Sequence, residues 1–161
     1  MTTVSVHRFI LGLALSTLLA NSWSASAEAT TERTAATSTE MLALLDEFAQ
    51  AWNRHDVDAL MSMMTDDCIF DASSGSTVEG ARYEGRAAVR AAFAAVFERF
   101  SDAHWGGARH VVSGERGFSE WTFTGTLDDG TRVEVNGCDL FTFQDGKIAV
   151  KNSFRKNRTS P

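Results

Sequence analysis

The sequence predicts an α+β domain with helices packed on one face of a curved, mostly antiparallel sheet. Apolar residues recur at helical spacing in three segments between residues 41 and 100. From about residue 104 the period changes to two, which is typical of strands. The turn signals Asp128-Asp129-Gly130 and Asp145-Gly146 divide this last part into neighbouring antiparallel strands. Helices followed by a run of such strands predict the α+β class.

The first 27 residues are predicted to be a signal peptide rather than part of the fold. His7-Arg8 precedes an apolar run over residues 9–20, and Ala25-Ser26-Ala27 is a small-residue cleavage signature. The run is too short to cross a bilayer as a helix. We therefore expect cleavage after Ala27 and an exported protein, periplasmic or secreted, whose mature form has no membrane contact. An uncleaved membrane anchor is the alternative.

The charge of the mature chain excludes some classes of partner. Removing residues 1–27 removes Arg8 and no acid, which changes the net charge from −6 to −7. An acidic chain without a basic stripe argues against nucleic acid and anionic membrane surfaces as partners. Cys68 and Cys138 both fall in predicted strands, either as two small buried side chains or as a disulfide.

Residues 28–36 have no apolar periodicity and are predicted to be a flexible lead-in to a domain over residues 37–161. Thr37 and Glu40 form a capping box at the start of the first helix. Asp56 is expected to cap a short second helix. The residues expected on the buried face of the first helix are Met41, Leu44, Leu45, Phe48 and Trp52.

The middle of the chain predicts a short strand, a connection and a third helix. In the strand over residues 68–71, Ile69 and Asp71 share a face. Residues 72–84 are rich in serine and glycine and indicate a loop or a weak hairpin. A helix follows from Arg86 to about Phe100. Three strands are predicted after it, over about residues 104–113, 117–127 and 131–143, before a last strand that ends near Phe154.

The last hairpin carries the most informative residue of the chain. If the turn at Asp145-Gly146 has two residues, Phe143 faces Ile148 and Asp139 faces Asn152. Asp139 then lies on a face that is otherwise apolar, where a carboxylate needs a partner or a proton. In this register Lys151, Ser153 and Arg155 turn to the opposite face, toward solvent or a second subunit.

The preceding turn, Asp128-Asp129-Gly130, leaves two registers to compare. A three-residue loop places Phe123 opposite Val135 and buries it, whereas a two-residue turn places Glu120 opposite Asp139. We expect the first, because it buries aromatic area and avoids facing acids.

In the strand predicted over about residues 104–113, His104 and His110 share a predicted face but lie too far apart for one metal ion.

Three segments of the chain resemble the nuclear transport factor 2-like superfamily, which includes ketosteroid isomerase and the SnoaL-like polyketide cyclases. They are AWNRHDVDALMSMMTDDCIFD at 51–71, YEGRAAVRAAF at 83–93 and GCDLFTFQDGKI at 137–148. The resemblance implies a cone-shaped, strongly curved sheet wrapped around three helices and enclosing a pocket. It also implies a small apolar ligand, no cofactor and no metal, and a homodimer.

Laid over ketosteroid isomerase, the chain has Asp71 at the position of the general base. Asp139 falls at the position of the protonated aspartic acid that stabilises the enolate oxygen, a system that is itself a standard example of carboxyl groups with different pKa values. The other residues expected around a substrate are Phe48, Trp52, Ile69, Trp121, Phe123, Phe141 and Asn152. These residues predict acid–base catalysis on a small apolar carbonyl compound, as in an isomerase, cyclase or lyase.

The alternative is a non-catalytic module that uses the same cone to hold a ligand or to oligomerise. It is favoured by Phe48, which stands where the resembled family has a tyrosine donor and cannot donate a hydrogen bond. Two carboxylates pointing into one cavity would favour the enzyme, and a cavity filled by aromatic side chains would favour the module.

Overall fold

A computed structural model describes residues 38–158 of the chain. The predicted signal peptide and lead-in, residues 1–36, lie outside the described residues, as does Thr37 of the predicted capping box. Among the residues described, no helix is long and apolar enough to cross a membrane.

Three helices are present in this part of the chain. Helix α1 covers residues 38–53, α2 runs over Val57–Ser62 and α3 over Gly85–Arg99. Asp56 caps α2 as predicted, because its Oδ1 accepts a hydrogen bond of 2.9 Å from the backbone N–H of Ala59. The predicted apolar face of α1 is confirmed, with Met41, Leu45, Phe48 and Trp52 all buried.

The helices pack against one open six-stranded sheet within the described residues. The strands are β1 Met64–Asp71, β2 Arg82–Glu84, β3 His104–Ser113, β4 Arg116–Thr126, β5 Arg132–Gln144 and β6 Lys147–Arg155. Their order across the sheet is β2-β1-β6-β5-β4-β3, and only the β1–β6 pair is parallel. The α+β class with a mostly antiparallel, curved sheet is therefore confirmed. Between β1 and α3, the connection left open as a loop or weak hairpin contains the short strand β2, which pairs with β1.

Both predicted turns are confirmed by the pairing of their strands. Asp145 and Gly146 have φ of 50° and 75°, as a type I′ turn requires, and Gln144 pairs with Lys147. In the other turn Leu127 N–H donates to the Thr131 carbonyl over 3.0 Å, which encloses a three-residue loop. Phe123 consequently faces Val135, as expected.

The register beyond the last turn differs from the prediction because β6 contains a β-bulge. Phe143 faces Ile148, but its neighbour Thr142 pairs with Val150, so Ala149 is an extra residue on β6. Asp139 therefore faces Ser153, and the predicted pairing with Asn152 is wrong.

The bulge also changes which residues of β6 face the helices. Lys151 and Ser153 are buried on the same face as Asp139, where they were predicted to point away. Asn152 instead pairs with Leu140 and takes the other face.

Candidate functional site

A cavity of about 330 Å³ lies against the side chains of α1, α3 and the sheet. Most of its wall is apolar, and a cavity of this volume accepts a small organic molecule. The aromatic residues that line it are Phe48, Trp52, Phe70, Tyr83, Phe100, Trp105, Trp121, Phe123 and Phe141. The cavity is thus surrounded, but not filled, by these rings.

One row of polar side chains crosses this apolar wall. His110 on β3 pairs with Ser119 on β4, Ser119 pairs with Asp139 on β5, and Asp139 pairs with Ser153 on β6. Residues directly opposite each other on neighbouring strands point to the same face, so the four side chains form a continuous row. All four line the cavity.

Asp139 is the centre of this row, and its carboxylate accepts three hydrogen bonds. Oδ1 accepts from Lys151 Nζ over 2.7 Å and from Ser153 Oγ over 2.6 Å. Oδ2 accepts from Trp121 Nε1 over 2.9 Å. Because a carboxylate oxygen can accept about two such bonds, Oδ2 retains a position for a further donor.

Lys151 is the cation that makes the burial of Asp139 tolerable. Only 7% of its side chain is exposed, and Nζ also donates to Ser153 Oγ over 2.6 Å. Nζ lies 5.5 Å from the centroid of a Trp52 ring and 5.1 Å from that of Phe70, both of which line the cavity. An ammonium between aromatic faces gains cation–π stabilisation, and its third N–H remains available to a ligand.

His110 adds a second titratable group to the row. Its Nδ1 lies 2.6 Å from Ser119 Oγ, and Nε2 is buried without a hydrogen bond, 3.4 Å from Asp46 Oδ1. Burial lowers the pKa of His110, and this effect outweighs the opposing influence of the Asp46 and Asp139 carboxylates. The imidazole is therefore neutral near pH 7.

A bulge in β3 turns His110 toward the cavity. Gly106 pairs with Thr122, but Arg109 pairs with Glu120, so β3 carries one extra residue around Gly107 and Ala108. Gly107 has a φ of 65°, which suits a residue without a Cβ. The predicted shared face of His104 and His110 is therefore wrong, and His104 is exposed.

Asp71 does not share the cavity with Asp139. It lies directly opposite Arg82 on β2, and its two oxygens accept hydrogen bonds of 2.7 and 2.9 Å from that guanidinium. Asp71 is 2% exposed, and the hydrogen bonds raise the pKa of Arg82. The neighbouring Phe70 takes the face toward the cavity, so alternation along β1 points Asp71 away from it.

The structure brings together five of the seven residues expected around a ligand. Phe48, Trp52, Trp121, Phe123 and Phe141 line the cavity. Ile69 and Asn152 are not part of its lining, because Phe70 and the pair Lys151 and Ser153 take their places.

Neither cysteine takes part in a disulfide: Cys68 is buried and Cys138 is partly buried. Over residues 38–158, no group of three or more histidine, cysteine or acidic side chains is arranged to hold a metal ion.

The family model of the SnoaL-like domain matches residues 45–151, which include α2, α3, part of α1, most of the cavity wall and most of the polar row. The chain belongs to the SnoaL-like family. Among curated proteins, no sequence matches it.

Solved structures with this fold resemble the SnoaL-like domain described here. A proposed polyketide cyclase from Xanthomonas campestris is 20% identical, with a TM-score of 0.67, and the match covers 75% of this chain and 93% of that one. A proposed SnoaL-like polyketide cyclase from Jannaschia is 21% identical, with a TM-score of 0.65 and coverages of 74% and 87%.

A third structure has a ketosteroid isomerase-like fold and was solved with trimethylamine. This protein from Catenulispora acidiphila is 17% identical, with a TM-score of 0.62 and coverages of 69% and 83%. Identities this low establish the shared fold alone. Any reaction must be inferred from the residues of the cavity.

Sequence reasoning missed Lys151, Ser153, Ser119 and His110 in this SnoaL-like cavity. Lys151 and Ser153 alternate in the sequence, but their face depends on the bulge at Ala149. The Gly106-Gly107 pair was a signal for a bulge in β3, because isolated glycines in a strand often mark one. Counting parity across it as an unbroken strand wrongly placed His104 and His110 on the same face.

Proposed function

We propose that the cavity binds a small, mainly apolar carbonyl compound and that Asp139 moves a proton on it, as in an isomerase, cyclase or lyase. The observation that supports this is a buried carboxylate, 6% exposed, fixed by three donors in a mainly apolar cavity. Such a carboxylate is held in one orientation, and Oδ2 keeps a position that a substrate proton can take.

Proton transfer beside a carbonyl requires a base at the carbon and a donor at the oxygen. Asp139 Oδ2 supplies the base in this proposal. Lys151 supplies the donor, since Asp139 and Ser153 occupy two of the three N–H groups of its ammonium. Asp139 takes the α-proton, Lys151 stabilises the enolate oxygen, and Asp139 returns the proton to a second position. This division replaces the expected roles of Asp71 as base and of a protonated Asp139 as donor.

Two exposed arginines that line the cavity suggest one further property of the ligand. Arg99 and Arg155 are exposed residues that line the cavity, and neither forms an ion pair within residues 38–158. Two unpaired guanidinium groups beside an aromatic wall favour a ligand with an apolar body and an anionic end.

The alternative is a ligand-binding module without catalysis. It is favoured by Phe48, a buried residue of the cavity wall without a hydrogen-bonding group, and by the separation of Asp71 from Asp139. Both functions predict ligand binding, and only the enzyme predicts proton exchange on the ligand.

The experiment is hydrogen–deuterium exchange at the α-carbon of phenylacetone and cyclohexanone in D₂O, followed by NMR. We expect the protein to accelerate exchange and Asp139→Asn to slow it by about 10²-fold or more, the usual contribution of a general base. Asp71→Asn is the matched control, a buried carboxylate outside the cavity, and should leave exchange within about twofold of the wild type.

Binding of these ketones without exchange would support the module. Equal exchange by the wild type and Asp139→Asn would refute the role of Asp139. Circular dichroism of both variants checks that they are folded, since each substitution removes the charge of a buried, ion-paired carboxylate.

We further propose that the protein is exported with cleavage after Ala27 and forms a homodimer. The support for export is the apolar run at residues 9–20 followed by Ala25-Ser26-Ala27. Intact-mass measurement of protein recovered from outside the cytoplasm should show Glu28 as the first residue. Light scattering of the same material should give twice the mass of one chain, and a single-chain mass would refute the dimer.

A further inference from the structure

A serine, an imidazole and a carboxylate lie in line at one side of the cavity. Ser119 Oγ is 2.6 Å from His110 Nδ1, and His110 Nε2 is 3.4 Å from Asp46 Oδ1. Ser119 is 4% exposed and lines the cavity, whereas the Asp46 side chain is 68% exposed on α1. The line thus runs from the cavity wall to the surface of the protein.

Rigid elements of the fold hold these three residues in place. His110 and Ser119 are direct partners in the β3–β4 ladder, and the β3 bulge sets the face of His110. Asp46 follows Leu45, a cavity-lining residue of α1. Nucleophilic catalysis requires accurately positioned groups, and groups held on strands and helices are positioned more accurately than groups on loops.

The chemical arrangement is that of an activated nucleophile. A serine activated by an adjacent base, with the base oriented by a third group, is recognised by its geometry on any fold. The neutral His110 can accept the serine proton at Nδ1 while Nε2 carries its own proton toward Asp46. Burial disfavours an imidazolium, and the two carboxylates Asp46 and Asp139 favour it once the proton has moved.

The surroundings of Ser119 also contain a cation for a developing negative charge. Asp139 is the direct partner of Ser119 on β5, and Lys151 Nζ is bound to Asp139 Oδ1. The ammonium neutralises Asp139. Two of its three N–H groups donate to Asp139 and Ser153, and the third is left for a ligand. A carbonyl bound beside Ser119 can direct its oxygen to this group.

We propose that Ser119 is a nucleophile that accepts the acyl group of a small carboxylic ester bound in the cavity. This activity goes beyond proton transfer by Asp139 and does not depend on it. As Oγ forms its bond to the acyl carbon, its proton passes to His110 Nδ1. The ester C–O bond then breaks, and the leaving alcohol takes that proton. Water, deprotonated at the same nitrogen, hydrolyses the acyl-serine to a carboxylic acid and restores Ser119.

Ser153 provides a comparison within the same cavity. It is also a buried, cavity-lining serine, but its Oγ is hydrogen-bonded to Asp139 and Lys151 rather than to an imidazole. Its proton acceptor is Asp139 Oδ1, whose basicity the bound Lys151 ammonium reduces, so Ser153 should remain unmodified. A reagent that modifies Ser119 and not Ser153 therefore reports on activation of the serine hydroxyl rather than on access to the cavity.

The test uses 4-nitrophenyl acetate and phenylmethanesulfonyl fluoride on the full chain. We expect a burst of 4-nitrophenolate, and one covalent addition per chain that peptide mapping places on Ser119. The acetyl group should be removed by hydroxylamine, which cleaves an ester of serine and leaves an amide of lysine intact. Ser119→Ala should abolish both additions, and Ser119→Cys should retain acetylation.

His110→Gln should slow acylation by about 10²-fold or more, because glutamine is no base. Wild-type acylation should rise with pH through a single deprotonation that the variant lacks, a readout that a purely structural role would not produce. The wild-type peptide map is independent of the folding of any variant. Modification of Ser153 or a lysine instead of Ser119, or no modification at saturating reagent, would overturn the proposal.

Discussion

Lys151 Nζ and Asp139 Oδ1 lie 2.7 Å apart, and less than a tenth of either side chain is exposed. Two opposite charges so removed from water depend on each other, because each offsets the desolvation of the other. The pair also joins β5 to β6 at the centre of the polar row. Its removal should therefore affect both stability and function.

Replacing both partners should cost less stability than the two single replacements added together. Lys151→Met leaves the Asp139 charge buried without its cation, and we expect the free energy of unfolding to fall by about 3–5 kcal/mol. The double variant Lys151→Met/Asp139→Asn should lose less than the sum of the two single variants, by about 1–3 kcal/mol. Urea denaturation measures all three, with the exposed Lys147→Met as control. Strict additivity would show that the two charges are not coupled.

His110 should make the domain less stable as the pH falls. Its folded-state pKa is lowered mainly by burial, so below about pH 6.5 the unfolded chain binds the proton more readily than the folded chain. This contribution to stability is complete above the unfolded-state pKa and is lost as the pH falls through the folded-state pKa. Urea denaturation between about pH 7.5 and about pH 5.5 should show the loss. His110→Gln should reduce it, whereas His104→Gln, on the exposed side of β3, should not.

Gly137 should be intolerant of a side chain because it lies against the site. A Cβ at this position would overlap the Trp121 ring and the backbone oxygen of Phe154. We expect Gly137→Ala to lower the free energy of unfolding by about 1–3 kcal/mol through overpacking. Displacement of Trp121 would also disturb its bond to Asp139 and change the tryptophan fluorescence. Gly106→Ala is the control, since its Cβ would meet only ordinary van der Waals contacts.

The two exposed arginines that line the cavity, Arg99 and Arg155, should select anionic ligands. We expect 2-naphthoate to bind about tenfold more tightly than the neutral 2-naphthamide, corresponding to one charge-assisted hydrogen bond. Arg99→Gln and Arg155→Gln should each reduce this preference, and the exposed Arg132→Gln should not. Quenching of the cavity tryptophans gives both affinities. Equal affinities in the wild type would exclude selection of anionic ligands by these arginines.

Local chemistry explains which parts of the fold were predictable. The Asp145-Gly146 turn requires two positive φ values, and that demand appears directly in the sequence. The register of β4 against β5 follows from burying Phe123. This energetic preference can be inferred from the pattern of apolar residues alone. The apolar face of α1 and the cap at Asp56 are similarly local.

The composition of the site depended on features that are not local. Ala149 has no property that marks it as an extra residue, and the bulge lies where β6 pairs with β5 on one side and with β1 in parallel on the other. An error of one residue inverts the faces of a strand, so Lys151 and Ser153 were assigned to the outside. For Asp71 the alternation with Phe70 was correct in period, but the sequence did not show which of the two faces the cavity.

The position of β6 has a consequence for the synthesis of the protein. It is the last of the described strands along the chain, yet it lies between β1 and β5 in the middle of the sheet. While the ribosome is still making residues before Lys147, the nascent chain has no strand to join β1 and β2 to the β3–β5 meander. Both inner edges then expose unpaired backbone groups, which invite pairing with other chains. A product truncated there would lack Lys151 and Ser153 and should be a substrate for chaperones and proteases.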